Sequence, residues 1–249
     1  MMRRLVGSEM CIRDRSSSDW IKKEINELKN ISNLEVKTRT SVAAYHGYNY
    51  LLARENLTDH LEKKDKDNKV RQRLLKIRAK KVILATGALE RPLIFNNNDR
   101  PGIMLSTAVK KYADFFGVKC GEKNVFFTNN DSAYESALCL FNKGIKVDAI
   151  IDIRNNSNSK IVKAVEQVGI KIYWSHTVVD TNGYRRLNNI SIMKLSNDGM
   201  TVTGDRINIS CDCLGVAGGW TPAVHLFTQS GGKLKSVSYT HLRAHETSH

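Results

Sequence analysis

Three strand-to-turn stretches in this chain carry residue types that could hold a nucleotide. Lys81-Val82-Ile83-Leu84-Ala85 runs into Thr86-Gly87-Ala88, and Cys213-Leu214-Gly215-Val216-Ala217 runs into Gly218-Gly219. Each is a short apolar run ending in small residues, with a proline (Pro92, Pro222) a few positions on. The carboxyl end of a parallel strand opens a crevice, and glycine there lets backbone approach a ribose or pyrophosphate. The same residues also describe a plain tight turn, so neither stretch decides alone. The third, Phe127-Thr128-Asn129-Asn130-Asp131-Ser132-Ala133-Tyr134, lies between a strand pattern and a helix pattern, where a dinucleotide fingerprint would lie, yet holds no glycine. Asn129, Asn130 and Asp131 can adopt positive φ and cap a helix. Unpaired N–H groups at a helix start, with Ser132 its first residue, would attract phosphate, although Asp131 places a negative charge beside it. Asp152 ends the next strand pattern about twenty residues on, where a ribose-binding acid would sit. The candidate cofactor set is therefore Ala85, Thr86, Gly87, Ala88, Asn129, Asn130, Asp131, Ser132, Asp152, Gly218 and Gly219.

No catalytic constellation accompanies them. His176 and His225 have no Ser, Cys or Asp partner at motif spacing, and His225 suits a core or interface position. Cys211-Asp212-Cys213 lacks the second ligand pair of a zinc or iron–sulfur site. Neither a catalytic residue nor a metal site is expected.

The elements that must position these turns follow from periodicity. Trp20, Ile21, Ile25, Leu28 and Ile31 have helical spacing. Residues 33–38 alternate as a strand would. Residues 45–57 suggest a small antiparallel excursion, 65–68 a polar break, 72–77 a returning strand and 81–85 a buried strand. Further on, 106–116 reads as helix, 125–127 as strand, 132–142 as helix ended by Gly144, and 146–152 as strand, a βαβ unit. A helix over 159–168 and a strand over 170–174 continue it. Strands over 177–180, 187–195 and 206–210 suggest an antiparallel meander before the strand at 213–217. The pattern is α/β.

The two ends are expected to be foreign. Glu9 to Asp14 can be written as the codons GAG ATG TGT ATA AGA GAC, whose reverse complement, GTC TCT TAT ACA CAT CTC, encodes Val237 to Leu242. That relation is what one adapter ligated to both ends of a DNA fragment produces, so 1–15 and 236–249 are set aside. The first fifteen residues hold four arginines against Glu9 and Asp14, and the last fourteen balance Arg243 against Glu246, leaving about +12 of the formal +14. His241, His245, His249 and Cys11 drop out with them. The remaining cysteines, Cys120, Cys139, Cys211 and Cys213, are sparse and fit a reducing cytosol rather than a disulfide framework. No apolar run reaches the roughly eighteen residues of a membrane span. The basic excess is densest over 63–81, where acids are mixed in and no aromatic is interleaved, so a solvated edge is expected rather than nucleic-acid binding.

Taken together, residues 84–93, Asn97-Asn98-Asp99-Arg100-Pro101-Gly102-Ile103-Met104-Leu105, residues 127–134 and Ala217-Gly218-Gly219-Trp220-Thr221-Pro222-Ala223-Val224-His225-Leu226 resemble the alpha subunits of heterotetrameric sarcosine oxidases. The similarity extends over nearly all of 16–235. It implies a pyridine-nucleotide–disulfide oxidoreductase-like fold with two Rossmann-like dinucleotide-binding domains, the first incomplete. The implied organisation is 16–116 in the first domain, 117–222 in the second and 223–235 returning to the first. By resemblance, residues 85–88 match the motif closing the first dinucleotide site, and Gly218-Gly219 match the turn leaving the second domain. Such enzymes convert sarcosine to glycine and hydrogen peroxide, passing the one-carbon unit to tetrahydrofolate. The alpha subunit carries NAD, FAD and FMN lie in or against the beta subunit, and tetrahydrofolate binds a domain outside this stretch. Beta, gamma and delta subunits are the implied partners, and the cytoplasm the implied location. This stretch alone is expected to be inactive. Two alternatives stay open: the alpha subunit of a related amine or proline dehydrogenase, and a noncatalytic nucleotide-binding or scaffolding module.

Overall fold

Residues 17–66, 69–237 and 241–244 are described by the structure, a computed structural model. Residues 1–16, the end of the polar break at 67–68, and 238–240 and 245–249 of the tail lie outside the described residues. The chain divides into two compact units, one running to Leu84 and including His225–Gly232, the other spanning Ala85–Val224 and the chain from Lys233.

In the first unit, helix α1 (Ser17–Lys29) has the expected amphipathic spacing, with Trp20, Ile21 and Leu28 exposed. Strands β1 (Thr40–His46), β2 (Tyr50–Asn56) and β3 (Gln72–Arg78) form an antiparallel sheet in that order. The first connection turns through Tyr48 and Asn49 at φ 59° and 53°. Asn49 is held there because Tyr45 donates its hydroxyl to Oδ1 at 2.6 Å and Nδ2 donates to the Lys80 carbonyl at 3.1 Å. Alternation along β2 buries Leu51 and Ala53. Two expected strands do not form. Residues 33–38 are turn and coil with Leu34 and Val36 exposed, and residues 81–85 are irregular, with Ile83 92% exposed. Neither has a ladder partner among the described residues, and without inter-strand hydrogen bonds an apolar run has nothing to hold it extended.

The second unit holds β4 (Ala88–Glu90), β5 (Ile103–Leu105), α2 (Ser106–Asp114), β6 (Asn124–Thr128), α3 (Ser132–Asn142), β7 (Val147–Asp152), α4 (Lys160–Gln167) and β8 (Lys171–Trp174). It continues through β9 (His176–Asn182), β10 (Asn189–Leu195), β11 (Val202–Ser210), β12 (Cys213–Ala217) and β13 (Trp220–Pro222). A five-stranded parallel sheet has the order β5-β12-β6-β7-β8. Every residue of β6 and β12 is buried, which is why both read as continuous apolar runs rather than alternating ones. On one face Phe126, Ile150 and Cys213 pack with Tyr134, Leu140, Val162 and Val165 of the helices. On the other, Val125, Phe127, Ile151 and Leu214 pack with Val178, Ile190 and Ile192 of the β9–β10–β11 meander. A Cβ on Gly215 would stand 2.5 Å from the Phe126 ring, so this strand position has to be glycine.

Because Ile103, Met104 and Leu105 pair with Leu214, Gly215 and Val216, β5 and α2 belong to this sheet. The boundary expected between 116 and 117 therefore falls inside the second unit, and the division lies between Leu84 and Ala85. After β13 the chain enters α5 (His225–Gln229) in the first unit, where the Gln229 side chain accepts from the Tyr45 amide at 3.0 Å. It then forms a hairpin of β14 (Leu234–Val237) and β15 (His241–Ala244).

Cys211 and Cys213 are buried, and desolvation pushes both thiols up to about 12, so little reactive thiolate exists near neutrality. In alkylation at pH 8 followed by mass spectrometry, Cys120 and Cys139, which are only partly buried, should be modified first. Cys211 and Cys213 should be modified only on unfolding; rapid labelling of either in the native chain would contradict this packing.

Candidate functional site

The three sequence stretches meet at the carboxyl end of the parallel sheet. From β6 the chain steps through α3 to β7 and through α4 to β8 on one side, while β12 and β5 lie on the other. The order reverses between β6 and β12, and such a switch point is where open α/β sheets bind ligands. Thr128 and Ala217 are the paired residues there. Just past them, β13 pairs antiparallel with β4: Trp220 with Glu90, Thr221 with Leu89 and Pro222 with Ala88. The Thr86 hydroxyl donates to the Ala223 carbonyl at 2.6 Å, and the Ala223 amide donates to the Gly87 carbonyl at 2.9 Å. Two motifs 137 residues apart thus become the strands of one ribbon.

The glycines of that ribbon do different jobs. A Cβ on Gly218 would stand 2.8 Å from both the Arg91 and the Pro92 carbonyl oxygens. Its amide donates to the Arg91 carbonyl at 2.6 Å, and the Arg91 amide donates to the Gly219 carbonyl at 2.8 Å. The space at Gly218 is filled by the chain's own backbone. Gly87, by contrast, has φ +70° and nothing within 4 Å of where a Cβ would be, and residues 85–88 are exposed. Gly219 (φ +103°) is equally open.

The 128–132 turn differs from its sequence reading. None of Asn129, Asn130 and Asp131 has positive φ. Asp131 occupies the N-cap of α3 with φ −79° and ψ −13°, and its side chain makes no capping bond. The cap comes from Asn130, whose Oδ1 accepts from the Ser132 amide at 3.0 Å and the Ser132 hydroxyl at 2.5 Å, an Asx-type turn. The Asn129 amide donates to the Ala217 carbonyl at 3.3 Å and the Asn130 amide to Thr128 Oγ1 at 3.0 Å. Side-chain Nδ2 groups complete the closure, Asn130 to the Ala217 carbonyl at 3.1 Å and Asn129 to the Gly218 carbonyl at 3.4 Å. The Asn129 amide and the Asn129 and Asn130 side chains thus bond across the switch point, and the Asn130 and Ser132 amides bond within the turn.

Asp152 is fully buried. Tyr134 donates its hydroxyl to Oδ2 at 2.8 Å, and Arg154 donates from its amide to Oδ1 at 2.9 Å and from its guanidinium NH2 to Oδ2 at 2.7 Å. Arg154 also lies 2.8 Å from Asp131 Oδ1, an ion pair by distance whose angle is poor for a hydrogen bond. Burial first, and then the Asp152 carboxylate, push the Tyr134 hydroxyl above its ordinary value. Burial opposes the charge on Arg154, but the hydrogen bonds it donates to Asp152 and its ion pair with Asp131 hold its pKa above normal. Tyr134 therefore stays a donor and Arg154 a cation at any physiological pH. Both oxygens of the expected ribose acid are engaged by the protein.

Two participants escaped the sequence reading. Arg154 had a signal, an arginine two positions after a strand-end acid. Glu90 had none, since a glutamate beside Arg91 reads as surface; its burial appears only in three dimensions. The Asn97 to Gly102 motif, with Asn96 before it, proves to be a clamp. Asn96 and Asn97 each donate Nδ2 to Asp180 Oδ1 at 3.0 Å, Arg100 Nε donates to Thr181 Oγ1 at 3.2 Å, and Gly102 leaves room for the Asp212 carbonyl. Among the described residues no His/Cys/Asp/Glu group could hold a metal ion, and no helix is long and apolar enough to cross a membrane.

Tyr134→Phe should lower unfolding free energy by about 1–3 kcal/mol, since it removes a donor from a buried acceptor. Arg154→Met should cost more, roughly 3–5 kcal/mol, because it leaves Asp152 buried without its cation. Urea denaturation checks both; a neutral result for Arg154→Met would show Asp152 to be solvated.

No family model matches the chain. It is 37% identical over 222 residues to the sarcosine oxidase alpha subunit of Corynebacterium sp. (strain P-1), a match covering 88% of this chain and 22% of that protein. It is 33% identical over 230 residues to the sarcosine oxidase alpha subunit of Rhizobium meliloti (strain 1021), covering 92% and 22%. Among solved structures, thioredoxin reductase of T. acidophilum has TM-score 0.62 and 17% identity, over 90% of this chain and 66% of that one. L-proline dehydrogenase from P. horikoshii has TM-score 0.58 and 20% identity, over 94% and 37%. A FAD-dependent pyridine nucleotide-disulphide oxidoreductase from Desulfovibrio vulgaris has TM-score 0.52 and 15% identity, over 79% and 47%. The chain spans about a fifth of the length of its curated relatives (22%), and over that shared segment it is similar to the sarcosine oxidase alpha subunits, on a pyridine nucleotide–disulfide oxidoreductase fold.

Proposed function

We propose that this chain is a cofactor-holding region of an oxidoreductase subunit that takes part in oxidative demethylation of sarcosine to glycine, with NAD held against residues 85–88. In this reading the one-carbon unit passes to tetrahydrofolate at another domain. FAD and FMN lie in or against a beta subunit, gamma and delta subunits complete a cytoplasmic assembly, and the stretch alone is inactive. The similarity to sarcosine oxidase alpha subunits supports the reaction class.

The observation that carries the assignment of the cofactor edge is Gly87. Its positive φ and the open space at its missing Cβ make a place where backbone can meet a ribose or pyrophosphate closely. NAD, when bound, supplies a two-electron hydride carrier. The residues of this chain bind and orient it. Thr86 keeps the turn in register through its bond to Ala223, and Gly87 leaves the approach clear. The 128–132 turn fits a dinucleotide poorly, because the Asn129 amide and the Asn129 and Asn130 side chains already close on Ala217 and Gly218. That closure favours a second reading for the parallel sheet alone, in which it is a noncatalytic scaffold that carries the cofactor edge and subunit contacts.

Calorimetric titration of the full chain with NAD, and separately with FAD, tests the proposal once circular dichroism shows the sample folded. NAD should bind, Gly87→Val should weaken it about tenfold or more, a loss of about 1.4 kcal/mol, and Asn129→Ala should leave affinity unchanged. A folded chain that binds neither dinucleotide, or one whose affinity follows Asn129 rather than Gly87, overturns it.

A further inference from the structure

The cofactor edge has little of its own to hold it. Residues 85–88 are exposed, and the bonds of Thr86 and Gly87 go to Ala223, the residue just past the other strand of the same ribbon. That ribbon pairs only three residues on each strand, too few to be stable in isolation. Something must fix it to the body of the unit.

Glu90, the last residue of β4, does so. It is 9% exposed. Its Oε1 accepts from the Ser106 hydroxyl at 3.0 Å, and its Oε2 accepts from the Thr107 amide at 3.0 Å and the Thr107 hydroxyl at 2.5 Å. Ser106 is fully buried, and its oxygen lies 3.3 Å from that of Ser136 on α3. These donors form the first turn of α2, whose N-cap residue is Leu105, with no side chain able to cap. A helix start leaves amides unsatisfied and carries partial positive charge, and a carboxylate answers both. The acid that caps α2 thus comes from the strand that continues the Gly87 turn, three residues beyond it.

We infer that Glu90 is the positioning residue for the cofactor edge: its carboxylate ties β4 to the start of α2 and so fixes where residues 85–88 present their backbone. The inference rests on the proposal that NAD meets those residues. Glu90 touches neither NAD nor substrate in this role and acts through Leu89 and Ala88 on the turn before them. Gln at this position keeps one acceptor oxygen but puts an NH2 group against the Thr107 donors, so it should rescue only in part.

The test uses the full chain with Glu90→Ala, Glu90→Gln and, as a control of similar structural cost, Asp180→Ala, which breaks the Asn96–Asn97 clamp elsewhere in the same unit. Hydrogen–deuterium exchange by mass spectrometry follows residues 85–89, and calorimetry follows NAD affinity. Glu90→Ala should speed exchange over 85–89 about ten- to a hundredfold and weaken NAD by a similar factor. Glu90→Gln should fall between it and wild type, and Asp180→Ala should leave both readouts near wild type despite its lower melting temperature. Exchange over 85–89 that is unchanged in Glu90→Ala, or no faster than in Asp180→Ala, overturns the inference. If the wild-type chain binds no NAD, the proposal about the cofactor fails, while the exchange comparison still decides whether Glu90 anchors the turn.

Discussion

One backbone carbonyl, that of Ala217, sets the geometry around which the second unit's functional end is arranged. It receives the Asn129 amide at 3.3 Å and the Asn130 side chain at 3.1 Å, while the Thr128 hydroxyl, 3.2 Å away, donates at shorter range to the Asn130 carbonyl at 2.8 Å. A carbonyl has two lone pairs, so two donors saturate it. The result is a switch point closed from inside. The next residue, Gly218, is packed so tightly against the Arg91 and Pro92 carbonyls that no side chain fits. Together these contacts join the β4–β13 ribbon to the end of the sheet, and the Glu90 carboxylate ties it to the start of α2.

The closure has an energetic meaning for ligand binding. A dinucleotide entering between β6 and β12 would have to displace several hydrogen bonds, each worth about 1 kcal/mol net, and would bring phosphate near the Asp131 carboxylate. Binding free energy would be lost to that opening, and affinity falls with the fraction of molecules already open. The Gly87 turn needs no such opening. Its donors and acceptors that face the protein are paired with Ala223, and the side facing away is clear. The Tyr134–Asp152–Arg154–Asp131 cluster reinforces the closed state, since it joins the turn before α3 to the end of β7.

Much of this was legible in the sequence. Continuous apolar runs bounded by helical periodicity located β6, α3, β7, α4, β8 and β12, because strands buried on both faces need no alternation. The meander was legible as three strand candidates in succession with turns between them. What failed were segments whose character depends on a partner. Residues 33–38 and 81–85 have strand-like composition, but no neighbouring strand among the described residues supplies a ladder. The site was legible as three turns, though not as one place, since nothing in a linear pattern says that Thr86 will meet Ala223. Likewise, Asn130 rather than Asp131 caps α3, a choice made by local geometry that composition leaves open. The Asn97 to Gly102 motif was recognisable by resemblance, and its work as a clamp on Asp180 and Thr181 appears only in the fold.

The central claim is that a dinucleotide meets residues 85–88 and leaves the 128–134 turn closed. Hydrogen–deuterium exchange of the full chain with and without saturating NAD tests it most directly, because it reads both places in one sample. Protection confined to the peptides covering 85–88, with 128–134 unchanged, is the expected result. Protection or opening at 128–134 with no change at 85–88 would contradict the assignment and return the cofactor to the switch point.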